Sequence, residues 1–329
     1  MTLFETKNKE PSLVDVPVAL IFFNRPDPLR KVFNAIRESR PSKLFLIQDG
    51  AREGRSDDRE KIDECRNIVN HVDWDCEVHE DYSDINLGCG MRIYSGMSKC
   101  FESVDRLCII EDDCLPSKGY FRFCAELLER YKDDERIDMI SGMNNLETYD
   151  LTPYSYIFAK TGSIWGWATW RRAWKTIEYS MDFLNDPDAV RLLHGSITPK
   201  RQASELIRTG QEKLRLLQEG KKLSAWSYQR GMNMFLYSGL IIVPKKNLIT
   251  NIGLTNDSVH SPNSIKKMPK ALQSLYFMPT YELDDPLKHP KYIVHDLEFD
   301  RRLNRLMKPS WLIGILRLFE SILRRMIFN

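Results

Sequence analysis

The sequence predicts an α/β protein: a mostly parallel sheet flanked by helices, followed by a helix-rich second half and a C-terminal amphipathic helix. Three observations carry this. Near-continuous apolar runs such as "VPVALIFFN" (16–24) and "LCII" (107–110) read as strands buried on both faces. Amphipathic helical patterns alternate with them in strand–helix units of about 30 residues. The chain is also long enough, at 329 residues with 42% apolar and 29% charged, for a large α/β core.

The elements follow in order. After the first strand, "RPDPLRKVFNAIRESR" offers Asp27 as a cap, Pro28 in the first turn, and Leu29, Val32, Phe33 and Ile36 at helical spacing. "KLFLIQDG" (43–50) is a second strand, and Ile62, Cys65, Val69 and Val72 mark a second helix. "CEVHEDY" (76–82) alternates as a third strand. The turn "NLGCG" (86–90) leads to a helix marked by Ile93, Met97, Cys100 and Val104. The strand in "RLCIIEDDCLP" (106–116), the helix "KGYFRFCAELLERY" and the strand "IDMISGM" complete this half.

The second half opens on "YSYIFAKTGSIWGWATWRRAWKTIE" (154–178), in which Trp167, Trp170, Trp174 and Ile177 fall on one helical face. Helical patterns at 201–219 and 223–238 precede a strand at "GLIIVPKK" and a loop-rich stretch to about 300. The organisation expected is a ligand-binding half over 14–150, a second half over 151–308 that forms the other wall of a cleft, and a tail over 309–329. In the tail, Trp311, Ile315, Leu318, Phe319 and Ile322 share one helical face, with Arg317, Glu320, Ser321 and Arg324 opposite. That pattern resembles a helix lying in the headgroup plane of a membrane.

The net charge of +2, from 48 basic and 46 acidic residues, offers no global field for a nucleic-acid partner. Seven cysteines without CxxC or metal-type spacing read as reduced thiols packed as small hydrophobes. The N-terminus lacks a secretory pattern and no window is apolar enough to span a bilayer, so the expected location is cytoplasmic.

The chemistry concentrates at strand ends. Of four Asp-Asp pairs, 57–58 and 133–134 sit among Arg, Lys and Glu and read as solvated helix ends, and 284–285 precedes a proline. Only Asp112-Asp113, preceded by Glu111, emerges from a buried apolar strand, where ligands of open α/β sheets bind. Carboxylates crowded there are tolerable around a divalent cation, and an oxygen-only set suits Mg²⁺ or Mn²⁺ held jointly with a substrate's phosphates. The first strand ends in Asn24-Arg25, with Arg25 suited to forked phosphate contacts; the second ends in Asp49, able to accept a hydrogen bond from a base. Asn86 and Gly88 of "NLGCG" would allow close backbone approach to a ligand. Neither the dinucleotide nor the P-loop glycine fingerprint is present.

"ALIFFNRP", "LIQDGAR", "NLGCG", "CIIEDDCLP" and "GSIWGWATWRRAW" occur in an order that resembles bacterial glycosyltransferases of the GT-A fold. These are similar to N-acetylglucosaminyltransferase I and are sometimes described as hemolytic-protein-like sugar transferases. The resemblance covers roughly residues 14–300. It implies a nucleotide-sugar donor, most simply a UDP-sugar, Mn²⁺ (or Mg²⁺) dependence, inversion at the anomeric carbon, and a glycan or lipid-linked glycan acceptor. Cell-surface polysaccharide synthesis at the inner membrane face is the implied setting.

By that likeness Arg25 contacts the diphosphate, Asp49 the uracil, Glu111 the donor sugar and Asp112 the ribose, while Asp113 ligates the metal. Gly166 and Trp167 border the sugar pocket, and His260 in "NLITNIGLTNDSVHS" would meet the metal or diphosphate. Relatives carry an acidic residue in a "WDYQW"-like segment; here "AWSYQRG" places Ser227 there and Arg230 at the last tryptophan. Serine at its ordinary pKa does not accept a proton from an alcohol. Asp257 is an alternative base, proton loss to water or phosphate another, and a catalytically impaired sugar- or nucleotide-binding protein a third. A nucleotidyltransferase is the rival enzyme class, but it calls for a glycine- and lysine-rich loop near the first strand, which "NRPDPLRK" lacks.

Overall fold

The computed structural model describes residues 9–254 and 270–307 and, in the tail, 315, 316, 318–320, 322, 323 and 326. Val14–Phe22 (β1), Pro41–Gln48 (β2), Glu77–Tyr82 (β3) and Arg106–Glu111 (β4) are parallel neighbours in the order β3-β2-β1-β4. β1 is apolar throughout its inner length because both faces are covered. Val18, Leu20 and Phe22 pack into one core, and Ala19 and Ile21 into a second.

Helices Pro26–Ser39 (α1), Asp57–Val69 (α2) and Cys89–Ser103 (α3) connect these strands. α1 buries the predicted stripe of Leu29, Val32, Phe33 and Ile36. It starts two residues earlier than expected. Arg25 occupies the N-cap position and Asp27 lies in the first turn, where its charge suits the helix dipole.

The remaining strands are Cys114–Pro116 (β5), Ile137–Ser141 (β6), Tyr156–Ala159 (β7), Trp167–Trp170 (β8), Leu240–Pro244 (β9) and Ile249–Asn251 (β10). The eight-stranded sheet runs β3-β2-β1-β4-β8-β6-β9-β7, and β10 pairs antiparallel with β5 beside it. β6 and β9 are parallel, whereas β8 runs antiparallel between β4 and β6, and β7 antiparallel to β9. The fold is thus α/β with a mostly parallel sheet flanked by helices, as expected.

β8 corrects one expectation. The tryptophan spacing at 167, 170 and 174 suggests a helix, yet Trp167–Trp170 is a strand and helix α5 covers only Arg171–Trp174. The free edge of β4 decides the outcome, since its backbone groups need partners once buried, and β8 supplies them in the register Arg106↔Trp170 to Ile109↔Trp167. Trp167 then faces one core and Ala168 and Trp170 the other.

Tyr120–Arg130 (α4) covers the first face. Pro187–Ser196 (α6), Lys200–Gln218 (α7) and Ser227–Leu236 (α8) enclose a separate small core of Met181, Leu193, Ile207, Leu214 and Met232. Lys270–Gln273 (α9) and Leu297–Met307 (α10) follow, α10 beginning where the loop-rich stretch is expected to end, near 300.

All seven thiols are free. Five are buried as expected, but Cys76 is half-buried and Cys89 exposed. Among the described residues no helix is long and apolar enough to cross a membrane. The described tail residues are helical, and Leu316, Leu318, Phe319, Leu323 and Met326 are all exposed.

Candidate functional site

β4 ends at Glu111 opposite Ile21 of β1, and the Asp112 amide continues the pairing by donating to the Ile21 carbonyl at 2.9 Å. This fixes the carboxyl cluster against the end of the neighbouring strand. Asp112 is buried, and its carboxylate accepts from the Phe23 amide at 3.4 Å. Arg25, one residue past the β1 turn, forms a close ion pair with Asp112 and donates to Asp113 Oδ2 at 3.1 Å. Burial alone would lower the Arg25 pKa, but the Asp112 and Asp113 charges reverse this and raise it.

One guanidinium does not balance three carboxylates. Burial, then the charges of Asp113 and Asp112, push the Glu111 pKa up to about 8. Burial also raises Asp112, to about 6, with Arg25 opposing and Asp113 adding. The cluster therefore carries uncompensated negative charge of the kind a divalent cation relieves, and its donors are all hard oxygens. Among the described residues no group of three or more His, Cys, Asp or Glu is arranged to hold a metal ion.

This charge has a consequence for stability. Below the ordinary carboxyl pKa of 4.5 both folded and unfolded chains keep the Glu111 proton; between there and about 8 only the folded chain does. Folding of the metal-free protein is therefore expected to weaken as pH rises across that window, by at most about 5 kcal/mol from this group. Glu111→Gln should flatten the slope in urea melts run in EDTA at pH 5 and 8. An unchanged slope would remove Glu111 from this role.

The other strand ends converge on the same edge. Asp49 Oδ1 accepts from the Gly50 and Leu87 amides at 3.0 and 2.8 Å, and Oδ2 from the Gly88 amide at 2.9 Å. Its charge thus shapes the 86–88 turn, leaving only remaining lone pairs for a ligand. Asn86 Nδ2 donates back to the Gly50 carbonyl at 2.8 Å. Gly50 is obligatory in this turn, because a Cβ there would lie 2.5 Å from the Ile85 backbone.

Asn24 leads to a correction. Its amide donates to Asp58 Oδ1 at 2.7 Å, and Asp58 is fully buried, not a solvated helix end. Asp58 also accepts from the Arg52 amide at 3.0 Å and from its guanidinium at 2.8 and 2.7 Å. These hydrogen bonds hold its pKa down at about 2. Arg92, also unflagged by sequence, is buried in α3 and ties the ends of β2 and β3 through the Gln48 carbonyl at 3.0 Å and the Asp81 carboxylate at 2.6 Å.

On the other side, Gly166 accepts from the Gly142 amide at 2.8 Å and has φ +62°, where a side chain would meet Ile249 and Ile110. Trp167 is a core residue stacked on Trp226, with ring centroids 5.4 Å apart. Trp165, two residues earlier, faces a cavity of about 560 Å³ together with Tyr276 and Ser227. Tyr276 bridges to Asn251 of β10, which pairs with Cys114 directly after the cluster, and burial with the charge of Asp113 raises the pKa of its hydroxyl. A larger cavity of 760 Å³ opens at the opposite ends of the strands, near Pro17 and Arg106.

β10 brings a further segment to the cluster. The Ile252 amide donates to the Asp113 carbonyl at 2.8 Å, and Gly253 passes so close that a Cβ would lie 2.2 Å from Asp113 Oδ2. Asp257 and His260, beyond this point, lie outside the described residues.

Fold and site together define an α/β protein with an acidic, arginine-braced centre at the carboxyl end of a central strand. No protein-family model matches the sequence. No curated protein matches it either. Among solved structures, a UDP-glucose pyrophosphorylase complexed with UDP-glucose overlaps 71% of this chain and 92% of its own at 9% identity and TM-score 0.33. Mouse xyloside xylosyltransferase 1, in its apo form, overlaps 70% of this chain and 85% of its own at 10% identity and TM-score 0.35. The inositol-1-phosphate CTP transferase from T. maritima overlaps 50% and 74% at 9% identity and TM-score 0.30.

Proposed function

We propose that this protein is a metal-dependent, inverting glycosyltransferase of GT-A type. In this reading it moves a sugar from a nucleotide-sugar donor, a UDP-sugar in the simplest case, to a glycan or lipid-linked glycan. The observation that carries the reading is the excess negative charge of Asp112 and Asp113 over Arg25 at the end of β4, crowded enough to keep the neighbouring Glu111 protonated. Such a centre suits Mn²⁺ or Mg²⁺ shared with a diphosphate, and Asp113 is the residue assigned to hold it. The ion, when bound, neutralises charge on the departing nucleotide diphosphate.

The chain's own residues do the rest. Arg25 adds positive charge at the leaving group, and its pairing with Asp112 and Asp113 keeps the guanidinium in place. Asn24, Asp49, Asn86 and Gly88 shape the donor side of the edge, and Glu111 faces the donor sugar. Gly166 stands on the opposite side with Trp167 packed in the core behind it, and Trp165 and Tyr276 give that wall a half-buried aromatic surface. The absence of a glycine- and lysine-rich loop after β1 disfavours nucleotidyl transfer.

The purified protein, mixed with UDP- and GDP-sugars with and without Mn²⁺, tests this. Metal-dependent release of nucleotide diphosphate supports transfer. Pyrophosphate chemistry would instead indicate a nucleotidyltransferase, and binding without turnover a non-catalytic protein.

The exposed apolar side chains of the tail, with Arg317, Arg324 and Arg325 in the same segment, support a cytoplasmic peripheral location on an anionic membrane surface. Deleting 309–329 is expected to lower co-sedimentation with phosphatidylglycerol vesicles at least about tenfold. Unchanged binding would refute the location.

A further inference from the structure

The 560 Å³ cavity contains a charged group that nothing described so far uses. Arg230 of α8 lines it and is only 4% exposed. Its two terminal nitrogens have no hydrogen-bond partner among the described residues. The nearest carboxylate, Asp138 in β6, stands 3.9 Å from Nη1, too far for a hydrogen bond, with Oδ2 likewise unpartnered. Asp138 is confined there, since a Cβ on Gly239 would fall 1.9 Å from its Oδ2. Asp138 thus balances the charge of Arg230 without satisfying its donors.

A buried guanidinium in that state is costly, and an apolar pair of the same volume would serve packing as well or better. The surroundings point to a ligand. Lys160 also lines the cavity, and no Asp or Glu is among the described lining residues. Gln202 presents a buried amide oxygen without a partner, an acceptor suited to a hydroxyl. Trp165 and Tyr276, with centroids 5.1 Å apart at 52°, form an aromatic corner for a sugar's C–H face.

We propose that this cavity receives an acidic sugar, with the Arg230 fork pairing with a carboxylate or phosphate of the acceptor and Gln202 accepting from a neighbouring hydroxyl. The inference rests on the transferase reading for the word acceptor, while the cavity's preference for an oxyanion stands on its own geometry. Burial holds the Arg230 pKa down to about 10, with Asp138 offsetting part of the effect, so the group remains a cation at neutral pH and lacks only a hydrogen-bonded partner. Planar forked donors match carboxylate and phosphate oxygens better than neutral hydroxyls.

The test is a tryptophan-fluorescence titration at pH 7 without donor or metal. Its probes are methyl glucuronide, the 6-phosphate of methyl glucoside, and methyl glucoside itself. At least one anionic probe should bind about tenfold or more tightly than the neutral one, and which one does so separates a uronic acid from a phosphorylated acceptor. Arg230→Met should reduce that preference to below about twofold. If Arg230→Met does not fold, Arg230→Met/Asp138→Leu, which removes both charges, carries the test. Equal affinity for all three probes in the wild type, or a preference that survives loss of Arg230, would overturn the proposal. Because no turnover is read, failure here leaves nucleotide release untouched, and failure of nucleotide release leaves this result standing.

Discussion

Asp113→Asn is expected to lower metal-dependent nucleotide release by at least about 10³-fold while leaving the fold intact. The substitution keeps the volume that fits beside Gly253 and removes only the charge that the proposed ion needs. Arg25 retains its pair with Asp112. Because Asp113 is the largest electrostatic contributor to the raised Glu111 pKa, the variant should also be at least as heat-stable as the parent in the absence of metal. Loss of activity with unchanged or raised Tm marks a functional carboxylate. Wild-type release by Asp113→Asn would end the assignment of the site.

The second large effect falls on stability. Asp58→Ala removes the acceptor shared by Asn24, the Arg52 amide and the Arg52 guanidinium, inside a fully buried pocket. Arg52 is part-exposed and recovers some hydration, so we expect a loss of about 2–3 kcal/mol in denaturant melts. The folded pKa of about 2 lies below the ordinary 3.8, so the unfolded chain takes up protons first as pH falls. The stabilisation is complete above that range and disappears as pH drops through it. Asp58→Asn should therefore make the acid-side decline between pH 4 and 2 shallower, and a decline of undiminished steepness would exclude Asp58 as a contributor.

Much of the first half was legible because its strands are buried on both faces and its helices carry clean stripes, as α1 shows with Leu29, Val32, Phe33 and Ile36. Local pattern suffices there. It fails where a distant partner decides. Trp167–Trp170 has helical spacing but is drawn into the sheet by β4, nearly 60 residues earlier in the chain.

The site shows the same division. Glu111–Asp113 stood out because charge directly abuts an apolar run. Asp58 did not, because its neighbours in sequence are charged and its true partners, Asn24 and Arg52, reach it only through the fold. Asp49 is legible as the residue that closes β2, but its hydrogen bonds to the Leu87 and Gly88 amides depend on a turn 38 residues away. Arg230 was visible as a departure from the pattern of the glycosyltransferases that the sequence resembles, but its unpaired nitrogens were not, since they follow from the distance to Asp138.

β8 lies between β4 and β6, both of which precede it in the chain. While the polypeptide is being synthesised, the strand that bears the acidic centre therefore waits with one side bare until residue 170 has emerged. A nascent or truncated chain ending near 150 would present that side as a sticky template, so the two halves are unsuited to independent life. The sheet that runs unbroken through β4, β8, β6 and β9 also leaves no place for a hinge through the middle.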